Sequence, residues 1–147
     1  MSLKAAILDD IKTAMKSGDK ARLGVLRMVS AAIKQIEVDE RRELSEADVL
    51  AVVDKMVKQR RESIRQFRDG GRDDLADREL AEIAVIDRYL PEALDDAELD
   101  ALIDTAIAET GAQSKRDMGR VMNLLRERAQ GRADMATVSA RVKARLD

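Results

Sequence analysis

A chain of 147 residues, 45% hydrophobic and 38% charged with a formal net charge of -2, can form one domain or two small ones. At that size it should bury roughly 70% of the surface its unfolded form exposes. The sequence has no Cys and no His, which removes disulfides, thiol nucleophiles, the usual general base and most zinc sites. Aromatic residues make up only 1% of it, so its core must be aliphatic, and its supply of Leu, Ile, Val, Ala and Met favours helices over disorder.

The first predicted helix runs from about Leu3 to Ser17, with Ser2 as N-cap, an apolar series Leu3, Ile7, Ile11 and Met15, and Gly18 as its stop. Asp19 caps the second, in which Leu23, Leu26, Val29, Ile33 and Ile36 recur at three and four residues until the charged run DERRE, read as a loop. The third and longest opens with Ser45 and Asp48 in capping-box spacing and carries Leu50, Val53, Val57, Ile64 and Phe67 to the pair Gly70 and Gly71. A fourth starts near Asp73, carries Leu75, Ile83, Ile86 and Leu90, and ends at Pro91.

Past Pro91 the helices shorten. Asp95 and Glu98 form a second capping box ahead of Leu99, Leu102, Ile103, Ala106 and Ile107, stopped by Gly111. Ser114 and Asp117 form a third, ahead of Met118, Val121, Met122 and Leu125, stopped by Gly131. Asp134 caps a last helix with Val138, Val142 and Leu146. No segment alternates with period two over strand length. The expectation is an all-α protein in two parts, four helices over residues 1–91 and a three-helix tail over residues 92–147. MSLKAAILDD lacks an apolar h-region, and the longest apolar run, Val49 to Val53, is far too short to span a bilayer, which predicts a cytoplasmic protein that meets no membrane.

The catalytic inventory is short. Ser17, Gly18, Asp19 and Lys20 spell the S-x-x-K pattern of some acyl enzymes, yet the types and order suit a cap and turn. Asp95, Asp96, Glu98 and Asp100 suit the positive end of a helix dipole better than a cation site. Gly70 and Gly71 lack the Lys and Ser/Thr of a phosphate loop. No catalytic residue, cofactor or metal is expected.

Charge is where the sequence is most specific. Lys58, Arg61, Arg65, Arg68 and Arg72 are spaced by three, four, three and four residues, one basic ridge if the third helix reaches Arg72. Arg60 interrupts the neighbouring apolar series, either snorkelling or meeting a specific carboxylate or anion. Seven basic residues face two acidic ones between Lys55 and Arg72, two face thirteen between Asp73 and Glu109, and nine face four between Lys115 and Asp147. Two basic blocks thus flank an acidic one, which presents a local field to a polyanion unless the acidic block folds against the basic ones. With one Phe and one Tyr, stacking modules for single-stranded RNA are excluded, and binding would run through phosphates and the shape of a folded RNA; no DNA-binding motif is apparent. In the tail, Arg116 with Arg120 and Arg141 with Arg145 are i+4 pairs, and Arg132 lies in a turn, a second cationic set.

KQRRESIRQFRDGGRDDLA, then AEIAVIDRYLP, then DMGRVMNLLRERAQGRADMATVSARVKARL resemble the signatures of the YqeY-like family across essentially the whole chain. The tail also resembles the C-terminal domain of the B subunit of the aspartyl/glutamyl-tRNA amidotransferase. Matching segments fall at Lys58, Gln59 and Arg60; Tyr89, Leu90 and Pro91; Met118, Gly119, Val121 and Met122; and Gly131 to Asp134. The resemblance implies an all-helical protein related to modules that help hold tRNA, with a tRNA synthetase or amidotransferase as a possible partner, and it transfers no catalytic residue. Read by themselves, Met118 and Met122 belong in a core, and Gly119, costing about 1 kcal/mol against Ala inside a helix, predicts close approach of a neighbour. The expected function is a non-catalytic tRNA-binding or tRNA-enzyme accessory module using Lys58, Arg60, Arg61, Arg65, Arg68, Arg72, Arg116, Arg120, Arg132, Arg141 and Arg145. The alternatives are a protein-interaction module and a component of a carbon–nitrogen ligase with glutamine as amide donor.

Overall fold

The computed structural model describes residues 1–146. Among them are seven α-helices and no strand: α1 Leu3–Ser17, α2 Lys20–Glu40, α3 Glu46–Asp69, α4 Asp73–Ile86, α5 Asp96–Thr110, α6 Met118–Ala129 and α7 Met135–Arg145. The protein is all-α. Short 3-10 turns at Asp87–Tyr89 and Lys115–Asp117 follow α4 and precede α6. The chain divides into two compact units, Met1–Leu90 and Pro91–Asp147.

Local chemistry sets most helix ends. Ser2 and Asp19 accept the Ala5 and Arg22 amides, and Gly18 and Gly111 close α1 and α5 in the left-handed region. The capping boxes Ser45–Asp48 and Asp95–Glu98 both form. The box at Ser114 and Asp117 forms too, around the 3-10 turn that leads into α6. Two ends differ from expectation. Helix α2 runs on through Asp39 and Glu40 because Arg41 itself takes the left-handed conformation (φ 54°) and hands its N–H back to Glu37. Helix α4 stops at Ile86, short of Pro91, and tightens into the Asp87–Tyr89 turn.

In the first unit Ile7, Val25, Val29, Ile33, Val49, Val53, Met56, Val57, Ile83 and Ile86 form one core. The first helix rotates slightly from its predicted face: Ala14 is buried, whereas Met15 is 48% exposed. Long-range polar contacts fix the frame. Glu46, at the start of α3, accepts the Leu3 amide at 3.0 Å and so caps α1 from outside. Glu37 accepts Lys4 Nζ and the Leu44 amide, both at 2.9 Å; the Lys4 bond, then the amide, holds its carboxyl below the usual range. Tyr89 donates its hydroxyl to Asp10, and burial followed by that bond pushes its pKa up to about 12.

The second unit has its own core of Leu99, Ile103, Ala106, Val121, Met122, Leu125, Val138, Val142 and Leu146. Its first residues are stitched to the α6–α7 turn, where the Leu94 amide donates to Arg132 O at 2.8 Å and Arg132 Nε donates to Glu92 O at 3.0 Å. Gly119 departs from expectation: it is exposed, and a Cβ built there meets nothing within 4 Å.

Candidate nucleic-acid interface

The acidic block does fold onto basic residues, and it does so separately in each unit. On α3, Arg60 lies at the edge of the core with its side chain only 13% exposed. Its Nε is 3.0 Å from Glu82 and 3.9 Å from Glu79, both on α4, and its remaining nitrogens reach Met56 O and Met28 Sδ. The break in the apolar series is therefore a clamp between two helices, and Arg60 presents no free guanidinium. Arg68 lies 3.8 Å from Asp73 and 3.6 Å from Asp77, again at α4.

Arg72 leaves the predicted ridge. The third helix ends at Asp69, Gly71 turns the chain at φ 72°, and Arg72 becomes the residue preceding α4, paired with Asp74 at 3.1 Å. The ridge therefore comprises Lys58, Arg61, Arg65 and Arg68, with Lys55 one turn earlier. Lys58 is 3.7 Å from Asp54, and Arg65 pairs with Glu62 while staying 70% exposed. Lys55 and Arg61 are exposed, with no ion pair to another described residue.

In the tail, Arg141 and Arg145 form a ladder against α5. Arg141 bonds Asp96 at 2.7 Å and Asp100 at 3.1 Å, while Arg145 bonds Asp100 and Asp104, each at 2.9 Å. Arg145, then Arg141, holds the Asp100 carboxyl below its usual range. Three carboxylates at i+4 spacing against two guanidiniums leave no excess positive charge on that edge. Arg132 is committed to Glu92 O. Arg120 bonds Asp117 at 2.6 Å and remains 63% exposed, and Lys115 and Arg116 are exposed beside it. Three accessible cations of the tail therefore lie at the start of α6, around the open Gly119, while Arg126 and Lys143 are exposed elsewhere on α6 and α7.

The eleven predicted cations thus range from structural to solvent-facing. Arg60, Arg132, Arg141 and Arg145 hold helices or turns in place; Arg68 and Arg72 pair with acids at the α3–α4 turn yet stay 46% and 59% exposed; and Lys58, Arg61, Arg65, Arg116 and Arg120 face solvent. Sequence reading passed over Lys55 and Lys115, and also Lys20, Arg27 and Lys34 on α2, whose seven-residue spacing was a usable signal.

Comparison with known proteins adds a family match and three relatives. Residues 4–146 match the family described as Yqey-like protein. A protein named "Altered inheritance of mitochondria protein 41, mitochondrial" from Pyrenophora tritici-repentis is 29% identical over 137 residues, covering 91% of this chain and 75% of the relative. Its namesake from Kluyveromyces lactis is 32% identical over 125 residues, 80% of this chain and 68% of the relative, and an uncharacterized protein of Schizosaccharomyces pombe is 32% identical over 91 residues, 62% of this chain and 74% of the relative. The names of the mitochondrial relatives overturn the cytoplasmic placement and point to mitochondria. Absence of an apolar segment does not tell one compartment from another. Among the described residues, no helix is long and apolar enough to cross a membrane.

Proposed function

This chain belongs to the Yqey-like protein family, and from that premise we propose that it is a non-catalytic accessory module that holds a folded RNA, tRNA foremost, for a tRNA-dependent enzyme. The observation that carries the reading is the outer face of α3, where Lys55, Lys58, Arg61 and Arg65 stay exposed while Arg60 and Arg68 turn to the α4 carboxylates. The α4 acids take up Arg60 and Arg68, while on the outer face Asp54 and Glu62 pair with Lys58 and Arg65 without burying them. What remains is a row of cations about 15 Å long, at 1.5 Å per residue, that meets phosphates without needing aromatic stacking. The resemblance of the tail to the amidotransferase B-subunit domain supports the same partner, with Lys115, Arg116 and Arg120 as the contacts there.

Such binding is dominated by release of counterions and falls steeply with salt. Filter binding to bulk tRNA should show saturable retention in low salt that collapses as salt rises, and Arg61→Glu with Arg65→Glu should weaken it by about tenfold or more. Failure to retain tRNA in low salt would overturn the reading, as would retention untouched by the double reversal.

A further inference from the structure

Helix α2 carries a second basic row, which the function proposed above does not use. Lys20, Arg27 and Lys34 are seven residues apart, about 10.5 Å along the axis, and all are exposed. No carboxylate bridges any of them among the described residues; Arg27 touches only Met15 Sδ, at 3.6 Å. The acids of α2 bond other partners, Glu37 with Lys4 and the Leu44 amide, Asp39 with Gln35, and Glu40 with Arg42; of the row, only Lys34 lies near enough to Glu37 to be felt by its carboxyl.

Apolar surface borders this row on both sides. Among the described residues six large hydrophobic side chains are exposed, and four lie on α1 and α2: Leu8 (45%), Met15 (48%), Met28 (41%) and Val38 (62%). Leu8 and Lys34 line an open groove of about 200 Å³ between the two helices. Across the row, Ala21, Gly24, Met28, Ala31 and Val38 follow a spacing of three, four, three and seven, the rhythm of a helix–helix seam. Gly24, in the middle of α2, has open space where a Cβ would stand, so no internal packing accounts for it.

We propose that this face docks an amphipathic helix of a partner protein, its apolar side laid along Met28, Ala31 and Val38 and its acidic flank paired with Lys20, Arg27 and Lys34. Charge selects that occupant. A nucleic acid would satisfy the cations but leave the bordering apolar side chains wet, whereas an apolar helix face removes them from water. A second copy of this chain, packed face to face, would set one basic row against another.

The probe is a fluorescein-labelled 21-residue peptide with Leu at the seam positions and Glu on both flanks, titrated into the full chain and read by anisotropy. Saturable binding is expected, about tenfold or more weaker for Lys20→Glu/Arg27→Glu/Lys34→Glu and for Gly24→Leu. Circular dichroism should show both variants folded, since all four positions are solvent-facing. A scrambled peptide of the same composition binding equally well would overturn the proposal. So would loss of tRNA retention rather than peptide binding in the α2 triple variant, or a dimer in sedimentation that Gly24→Leu abolishes. Because the RNA reading is tested at Arg61 and Arg65, either proposal can fail without the other.

Discussion

Arg60 in the first unit and Arg141 in the second are both bound to two carboxylates, yet their settings differ. Arg60 is 13% exposed, lies against a core and has Met56 O and Met28 Sδ around it; Arg141 is 29% exposed and meets Asp96, itself 89% exposed. The first cluster is the less exposed of the two, with Glu79 and Glu82 about a quarter exposed. Removing one partner should therefore cost more at α3–α4 than at α7–α5, and both units depend mainly on their aliphatic cores.

The strongest test of that dependence is to cut the two cores alike. Ile86 and Ile103 are both fully buried, one in each core. Ile86→Ala and Ile103→Ala should each cost about 2–5 kcal/mol in urea unfolding. If Ile103→Ala cost far less, the tail would not rest on its core. Next in size, Arg60→Met keeps the stem's packing but strands Glu82, and should cost about 1–2 kcal/mol with little dependence on salt. By contrast, Arg141→Gln with Arg145→Gln should produce a small loss in low salt that disappears in 1 M salt. A salt-resistant loss there would break the contrast between the units.

Titration separates the units further. Asp100 and Asp117 in the tail are held below the usual carboxylate range, Asp100 chiefly by Arg145 and Asp117 chiefly by the Gln113 amide; in the first unit Glu37 is held down chiefly by Lys4. A depressed carboxyl stabilises the fold above its unfolded pKa, so these contributions should be complete above about pH 5 and be lost as pH falls through the folded values. The alkaline side differs. Tyr89, the single tyrosine, is raised from 10.0 to about 12, so its contribution is complete below pH 10 and is lost as pH rises to about 12. Denaturant midpoints across that range should fall for the first unit. Tyr89→Phe, the smallest expected effect at neutral pH, should remove this alkaline loss; if the loss persists, the Tyr89–Asp10 bond is not its source.

Much of the fold was legible because caps are local. Ser45 with Asp48, Asp95 with Glu98 and Gly111 act within one helical turn, where spacing along the chain is spacing in space. The exceptions follow the same logic: nothing near Arg41 in the sequence says that a non-glycine residue will take a left-handed cap. The site was less legible. The ridge was readable as far as Arg68, but the extension to Arg72 failed at the Gly70–Gly71 turn, and Gly119 faces open space rather than a packed neighbour.

From its order of residues alone, this protein is committed to aliphatic helices, to most of their ends, and to three blocks of alternating charge. Only the tertiary structure decided which charges meet: Glu82 reaches back 22 residues to Arg60, and Asp100 reaches forward more than 40 to Arg141 and Arg145. The reason is range. Hydrogen bonds at caps act between neighbours in the chain, whereas a carboxylate finds its guanidinium only after aliphatic packing has laid one helix along another.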